Sequence, residues 1–290
     1  MKRTIFQLKF LTPALIAGAQ PKTMGQVQAT AELREASIRG QLRWWHRLLG
    51  YDRASEERIY GAAAGSSGHA SGVLIRILDA PTPIVEPQSA HDLDLHPQGG
   101  IVEYLAFNLR REEGKANKED VRRSALPAGT EFHILLQTGR LTEVDWMTLL
   151  RTMEIFSWLG SLGTRSRRCF GALTLLSKDG QACQRPKLWN SILGNQYVEA
   201  RTVPGKEARE WRDLFRQAGI WLREQRGIVK NKNLLFGTAG SRQRIASAIL
   251  LRPDWVDDRF TLLAIGRPTD LNQTSLATLT YEPLPESSDL

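Results

Sequence analysis

Gly160-Ser161-Leu162-Gly163-Thr164-Arg165-Ser166-Arg167-Arg168-Cys169-Phe170-Gly171 gathers the residue types that hold a chain of phosphates. Glycines let a backbone come close, hydroxyls and free N–H groups donate, and three arginines supply charge and bidentate geometry. The competing reading is a solvated glycine turn with surface arginines. A second constellation runs Ser37-Ile38-Arg39-Gly40-Gln41-Leu42-Arg43-Trp44-Trp45-His46-Arg47, with Arg39, Arg43 and Arg47 at successive i+4 steps. Like charges at that spacing repel on an isolated helix, which makes sense if an anion lies along them. The plain alternative is a core formed by Trp44 and Trp45, with the arginines paired to Glu32 or Glu35. A core place is expected for Trp45, whereas Trp44 and the arginines are assigned to RNA.

Other patterns carry less. Arg168, Phe170 and Gly171 fit part of the strand motif of RNA-recognition domains, but Ala172 and Leu175 stand where stacking aromatics belong. Contacts chiefly to phosphate and sugar are therefore expected, not readout of bases. His91-Asp92-x-Asp94-x-His96 alternates metal-ligand types, yet it lies in a proline-rich loop with no third element to complete a shell. No metal and no cofactor is expected. Gly61 to Gly68 lacks the lysine of a phosphate-binding loop and reads as a finger against RNA or a neighbouring subunit, or as a hairpin tip.

The 290 residues carry 39 Lys plus Arg against 31 Asp plus Glu, a net charge of +8, and 29 of the basic residues are Arg. Solubility alone would not demand that bias. With 41% hydrophobic residues the chain can bury a core, and no apolar run approaches the ~18 residues of a membrane span. The start imitates a secretory signal, but Gln7, Lys9, Thr12 and Pro13 interrupt its apolar stretch. Cys169 and Cys183 offer no disulfide framework. A cytoplasmic protein is expected.

The elements that must position these residues follow from periodicity. Phe6, Leu8 and Phe10 alternate with Gln7 and Lys9 as an amphipathic strand, and Leu33 to Leu49 carries a helical stripe of Ile38, Leu42, Trp45 and Leu49. Strands are expected at 73–78, 101–109 and 131–137, with a proline-rich loop at 79–100 and a charged insertion at 110–123. A helix from Thr142, its N-cap, to Leu159 and a strand from Phe170 to Leu176 complete a β-α-β-β-α-β order. Further on, a helix over Lys206 to Arg226 and strands over Ile245 to Leu251 and Phe260 to Ile265 are expected. The fold class is α+β.

Several stretches together resemble the RAMP superfamily: Phe6-x-Leu-x-Phe-Leu-Thr-Pro, Glu32-Leu33-Arg34, Ser37 to Trp45, Ile59-Tyr60-Gly61, Gly65-Ser66-Ser67 and Gly160 to Gly171. More narrowly they resemble the first-numbered RAMP subunit of type III-B CRISPR RNA-guided effector complexes. The likeness covers the first 180 residues well; Phe236-Gly237, Arg244 and Ala246-Ser247 extend it less specifically. It implies two ferredoxin-like (RRM-like) RAMP domains, at 1–180 and, abbreviated, at 181–290. It further implies a non-catalytic subunit near the guide 3′ end that helps capture target RNA in antiviral defence, with guide RNA, target RNA and other RAMP subunits as partners. RNA contact then falls on Arg39, Arg43, Trp44, Arg47, Arg165, Arg167 and Arg168, with Gly160, Gly163 and Gly171 shaping the loop and Arg242 and Arg244 as candidate second-domain contacts.

Two other functions compete. Some RAMP relatives process guide RNA without metal by acid–base cleavage, for which His46 or His69 would be the base. A protein-only assembly subunit would instead use Trp211, Trp221 and Trp255 for subunit contacts.

Overall fold

The computed structural model describes residues 1–16, 31–62, 68–79, 105, 125–187, 189–193, 197–239 and 244–276. Strand β1 (Lys2–Phe10) alternates as its sequence demands, burying Thr4, Phe6, Leu8 and Phe10. Short β2 (Ala14–Leu15) follows and pairs with β4 (Ala125–Leu126). β1 lies between β5 (Glu131–Thr138) and β6 (Leu173–Lys178), antiparallel to both. β3 (Leu74–Ile77) and β7 (Gln181–Ala182) complete the sheet in the order β3-β5-β1-β6-β7.

Helix α1 (Glu35–Leu48) turns Ile38, Leu42 and Trp45 toward Phe6, Leu8 and Phe132 in one hydrophobic cluster. The same cluster takes Leu149, Met153 and Phe156 from α3 (Glu143–Leu159), whose N-cap is Thr142, its hydroxyl accepting the Asp145 N–H at 3.1 Å. Element order and antiparallel pairing thus realise the expected β-α-β-β-α-β unit. Helix α2 (Arg53–Tyr60) is additional, opened by the Asp52 carboxylate accepting the Ser55 N–H at 2.8 Å.

A second sheet, in the order β11-β12-β8, is formed by β8 (Glu199–Ala208), β11 (Leu250–Val256) and β12 (Arg259–Gly266). It is covered by α5 (Trp211–Ile228) through Trp211, Leu214, Phe215, Ala218 and Leu222. In the chain, α4 (Trp189–Leu193) precedes β8; α6 (Lys232–Phe236) and the pair β9 (Thr238–Ala239) and β10 (Arg244–Ile245) come between α5 and β11; α7 (Pro268–Leu271) follows β12.

Four expectations need correction. Lys206 to Ala208 end strand β8 and do not begin the helix; Pro204 and Gly205 disguised that strand. The stretch Ile245 to Leu251 is not one strand, because the Ser247 hydroxyl donates to the Leu235 and Ile249 carbonyls and bends the chain between β10 and β11. The strand expected from Phe170 begins at Leu173, since Phe170 and Gly171 belong to a turn. Of residues 79–123 only Asp79 and Leu105 are described; Leu105 is buried and helical, against the strand expected there.

Packing crosses the 180/181 boundary. Ala200, Leu250, Leu263 and Ile265 of the second sheet join the first cluster, while Leu251, Leu262 and Ala264 join a second cluster under α5. Leu15, Cys169 and Phe170 of the first unit also enter that second cluster.

Candidate nucleic-acid interface

The glycine-rich stretch leaves α3 at Gly160 and re-enters the sheet at Leu173, whose N–H donates to the Gly160 carbonyl at 3.1 Å. On one side it is pinned to the first unit: Thr164 N–H donates to the Leu15 carbonyl at 2.8 Å, and Gly171 N–H to the Pro13 carbonyl at 2.9 Å. On the other it pairs with β11, Cys169 N–H donating to the Leu251 carbonyl at 2.9 Å and Leu251 N–H to the Arg167 carbonyl at 3.2 Å. The loop is thus a seam between the two sheets. Phe170 drops beneath it onto Phe215, ring centroids 4.9 Å apart, so the aromatic that matched an RNA-binding strand motif is core.

Glycine is required at two of the three shaping positions by backbone conformation. Gly163 has φ +95° and a Cβ there would lie 2.7 Å from the Leu15 carbonyl oxygen; Gly171 has φ +66° and a Cβ would lie 1.9 Å from that of Leu162. Arg165 and Cys169 also adopt the left-handed conformation, at φ 65° and 73°. Gly160 has no room either, its Cβ falling 2.2 Å from the Phe156 ring.

The arginines divide by what holds them. Arg167 donates to the Ser247 carbonyl and sets its guanidinium 4.8 Å from the centroid of the Trp44 ring, tying loop, second unit and α1 together. Burial lowers its pKa, with no carboxylate among the described residues acting on it. Arg168 donates to the Phe236 carbonyl, which also accepts from Arg226 at 2.9 Å. Trp44 packs on the first cluster and meets Trp45 edge-on, while Trp45 is buried as expected.

On α1, Arg43 and Arg47 converge on one carboxylate. Arg47 holds Glu56 through both oxygens at 2.6 Å each, and Arg43 adds a bond at 2.9 Å while also donating to the Gly61 carbonyl at 2.9 Å. The partner is Glu56, not Glu32 or Glu35. Its side chain is 4% exposed, and the Arg47 bonds, then those of Arg43, pull its pKa down to about 2. Arg47 stays 66% exposed, so two guanidiniums against one carboxylate leave a positive edge open to solvent. Arg39, half-buried one turn earlier, continues that edge.

Neither histidine is placed as a free base. His46 is buried against Tyr51 and Tyr60 with Nε2 2.9 Å from the Ser55 hydroxyl, and burial lowers its pKa. His69 is exposed with Nε2 2.9 Å from the Glu57 carbonyl. Trp211 and Trp221 are core, and Trp255 is 39% exposed beside Phe260. Arg244 lies on β10, and only its backbone is described. Arg242, His91, Asp92, Asp94 and His96 lie outside the described residues, among which no group of three metal-ligating side chains occurs. No helix among the described residues is long and apolar enough to cross a membrane.

Sequence reasoning missed Glu56, Arg226 and Arg252, and gave Ser247 only within a resemblance, without the contact that it makes. Glu56 had a readable signal, since Asp52-x-x-Ser55-Glu56 opens a helix with an acidic first turn. The others act across the fold, where a linear reading finds no mark.

The fold is α+β, with a five-stranded and a three-stranded sheet joined at a glycine- and arginine-rich seam. The family model of the RAMP superfamily matches residues 7–174, and the chain belongs to that superfamily. It is 29% identical over 196 residues to the CRISPR system Cmr subunit Cmr1-2 of Pyrococcus furiosus, covering 60% of this chain and 95% of that one. Cmr1-1 of the same organism is 25% identical over 158 residues, 53% of this chain and 43% of that one. The fold matches the crystal structure of apo Cmr1 from Pyrococcus furiosus with a TM-score of 0.57 at 17% identity, covering 91% of this chain and 87% of that one. A chain of the type III-B Cmr-beta complex bound to cognate target RNA matches with a TM-score of 0.53 at 13% identity, covering 91% and 94%.

Proposed function

We propose that this chain is a non-catalytic RNA-binding subunit of a cytoplasmic type III-B CRISPR ribonucleoprotein, seated near the guide 3′ end, where it helps capture target RNA in antiviral defence. The observation that carries the reading is the seam: the Arg167 guanidinium, with no acidic partner among the described residues, bridges the glycine-rich loop to α1 through Trp44. The two constellations of the sequence are thus in contact through Arg167 and Trp44. Likeness to Cmr1 proteins, one of them in a complex with target RNA, supports the assignment of partners. Burial of His46 supports the absence of a cleavage role at that residue.

Charge reversal at Arg39 and Arg165, which avoids the Glu56 and Ser247 contacts, tests it. Affinity for single-stranded RNA should fall, and the salt dependence should lose about one unit of slope per arginine. Unchanged RNA binding with failed assembly would favour a protein-only scaffold. Metal-free cleavage of guide-precursor RNA, abolished by His69→Ala, would establish the endoribonuclease instead.

A further inference from the structure

The second sheet gives the glycine-rich loop more than the backbone pairing at Leu251. The next residue, Arg252, is fully buried. Its Nε donates to the Gly160 carbonyl at 3.4 Å and its Nη2 to the Leu173 carbonyl. Gly160 and Leu173 are the two sides of the loop's neck, already joined by their own backbone hydrogen bond at 3.1 Å. One guanidinium from the second sheet therefore holds both sides of a neck built by the first unit.

The rest of the fork is also occupied. Arg252 Nη1 lies 3.5 Å from an Asp254 oxygen. Asp254 in turn accepts from Arg185 at 3.0 and 2.6 Å, and from the Trp189 indole at 3.1 Å. Arg185 and Trp189 stand on the connection between the sheets, so the network touches the loop, the connection and the second sheet at once. A single charge at this depth would be costly without such partners. Burial is the largest influence on Arg252, bringing its pKa down to about 10 despite Asp254. A planar fork of three nitrogens suits two carbonyls and a carboxylate lying in different directions, which the single nitrogen of an ammonium would have to reach from one point.

We propose that Arg252 is a positioning residue for RNA binding: by clamping Gly160 and Leu173 it fixes the loop in the one geometry that meets an RNA backbone. This rests on the RNA-binding reading above. The second unit then governs the loop without itself touching RNA at this residue.

The test uses the full-length chain with Arg252→Met, which fills the space, and Arg252→Lys, which keeps the charge. Amide hydrogen exchange and binding to a short single-stranded RNA of mixed sequence are measured on each. In Arg252→Met the amides of Leu162, Thr164, Cys169 and Gly171 should exchange about tenfold faster relative to those of Leu8 and Ile134 in the central ladder. RNA affinity should fall about tenfold with them, and Arg252→Lys should recover part of both. A residue that merely stabilised the fold would speed loop and ladder amides by one common factor, and that result would overturn the proposal. So would a loosened loop with wild-type RNA affinity. Absence of RNA binding by the wild type would instead refute the RNA-binding reading, and the exchange pattern would still decide whether Arg252 clamps the neck. If Arg252→Met does not fold, Arg252→Lys carries the same comparison.

Discussion

Arg167 and Trp44 face each other with the guanidinium carbon 4.8 Å from the indole centroid, although 123 positions separate them in a chain where one stands on a helix and the other in a turn. The contact covers one face of an indole that also packs on the first cluster. It also fixes the direction of a charge that no carboxylate among the described residues neutralises.

Arg167→Ala removes both that contact and the bond to the Ser247 carbonyl. A loss of about 2–3 kcal/mol is expected from a charged hydrogen bond and a cation–π contact. Urea denaturation of Arg167→Ala, Trp44→Leu and the double variant should show a coupling of about 1 kcal/mol; additive effects would mean that the two side chains do not cooperate.

Glu56 makes stability depend on acid. Its carboxyl, held at about 2 by Arg47 and Arg43, stays charged after the unfolded chain has begun to take up protons near its ordinary value of 4.5. The stabilisation is complete above pH 4.5 and is lost as pH falls toward 2, amounting to about 3 kcal/mol. Asp145, lowered by its bonds from Arg58, acts in the same sense, and buried His46 starts the decline as the unfolded chain protonates below about pH 6.5. Denaturation midpoints measured between pH 7 and pH 3 should fall throughout, and Glu56→Gln should flatten the part below pH 4.5.

Two glycines of similar conformation separate backbone strain from crowding. Gly171, at φ +66°, has the Leu162 carbonyl where a Cβ would go, whereas Gly180, at φ +79°, has open space. Gly180→Ala should cost about 1 kcal/mol, the left-handed penalty alone. Gly171→Ala must also displace the loop and should cost more than about 3 kcal/mol, with RNA affinity falling only in this variant. Thermal unfolding of both proteins compares them directly.

Phe170→Ala should destabilise by about 3–5 kcal/mol, the ordinary cost of emptying a buried aromatic position. The ring lies on Phe215 in the second cluster, so the loss should loosen α5 amides as well as the loop. Hydrogen exchange confined to the loop would contradict that placement.

Much of the first unit was legible because β1, α1 and α3 each carry their own signal. Phe6, Leu8 and Phe10 alternate, Ile38, Leu42 and Trp45 repeat helically, and Thr142 caps α3 as its position suggests. Strand β8 was not legible: its proline and glycine contradict strand propensity, and pairing with β12 overrides them. Within the site, the arginines were found by type, but not their partners. Glu56 pairs back to α1 from the next helix, and the Ser247 and Phe236 carbonyls that receive Arg167 and Arg168 leave no trace in side-chain chemistry.

The sharing of Leu15, Cys169 and Phe170 with the second cluster sets limits on dissection of the chain. A fragment ending near residue 180 would carry a greasy underside from which Leu251, Phe215 and their neighbours had been stripped, and its loop would lack the strand that shapes it. Such a fragment should aggregate or bind RNA poorly even with every arginine of the loop intact, while co-expression with the remaining piece should restore both properties. The two halves share one seam, and exchange of either half between relatives should succeed only where both sides of that seam travel together.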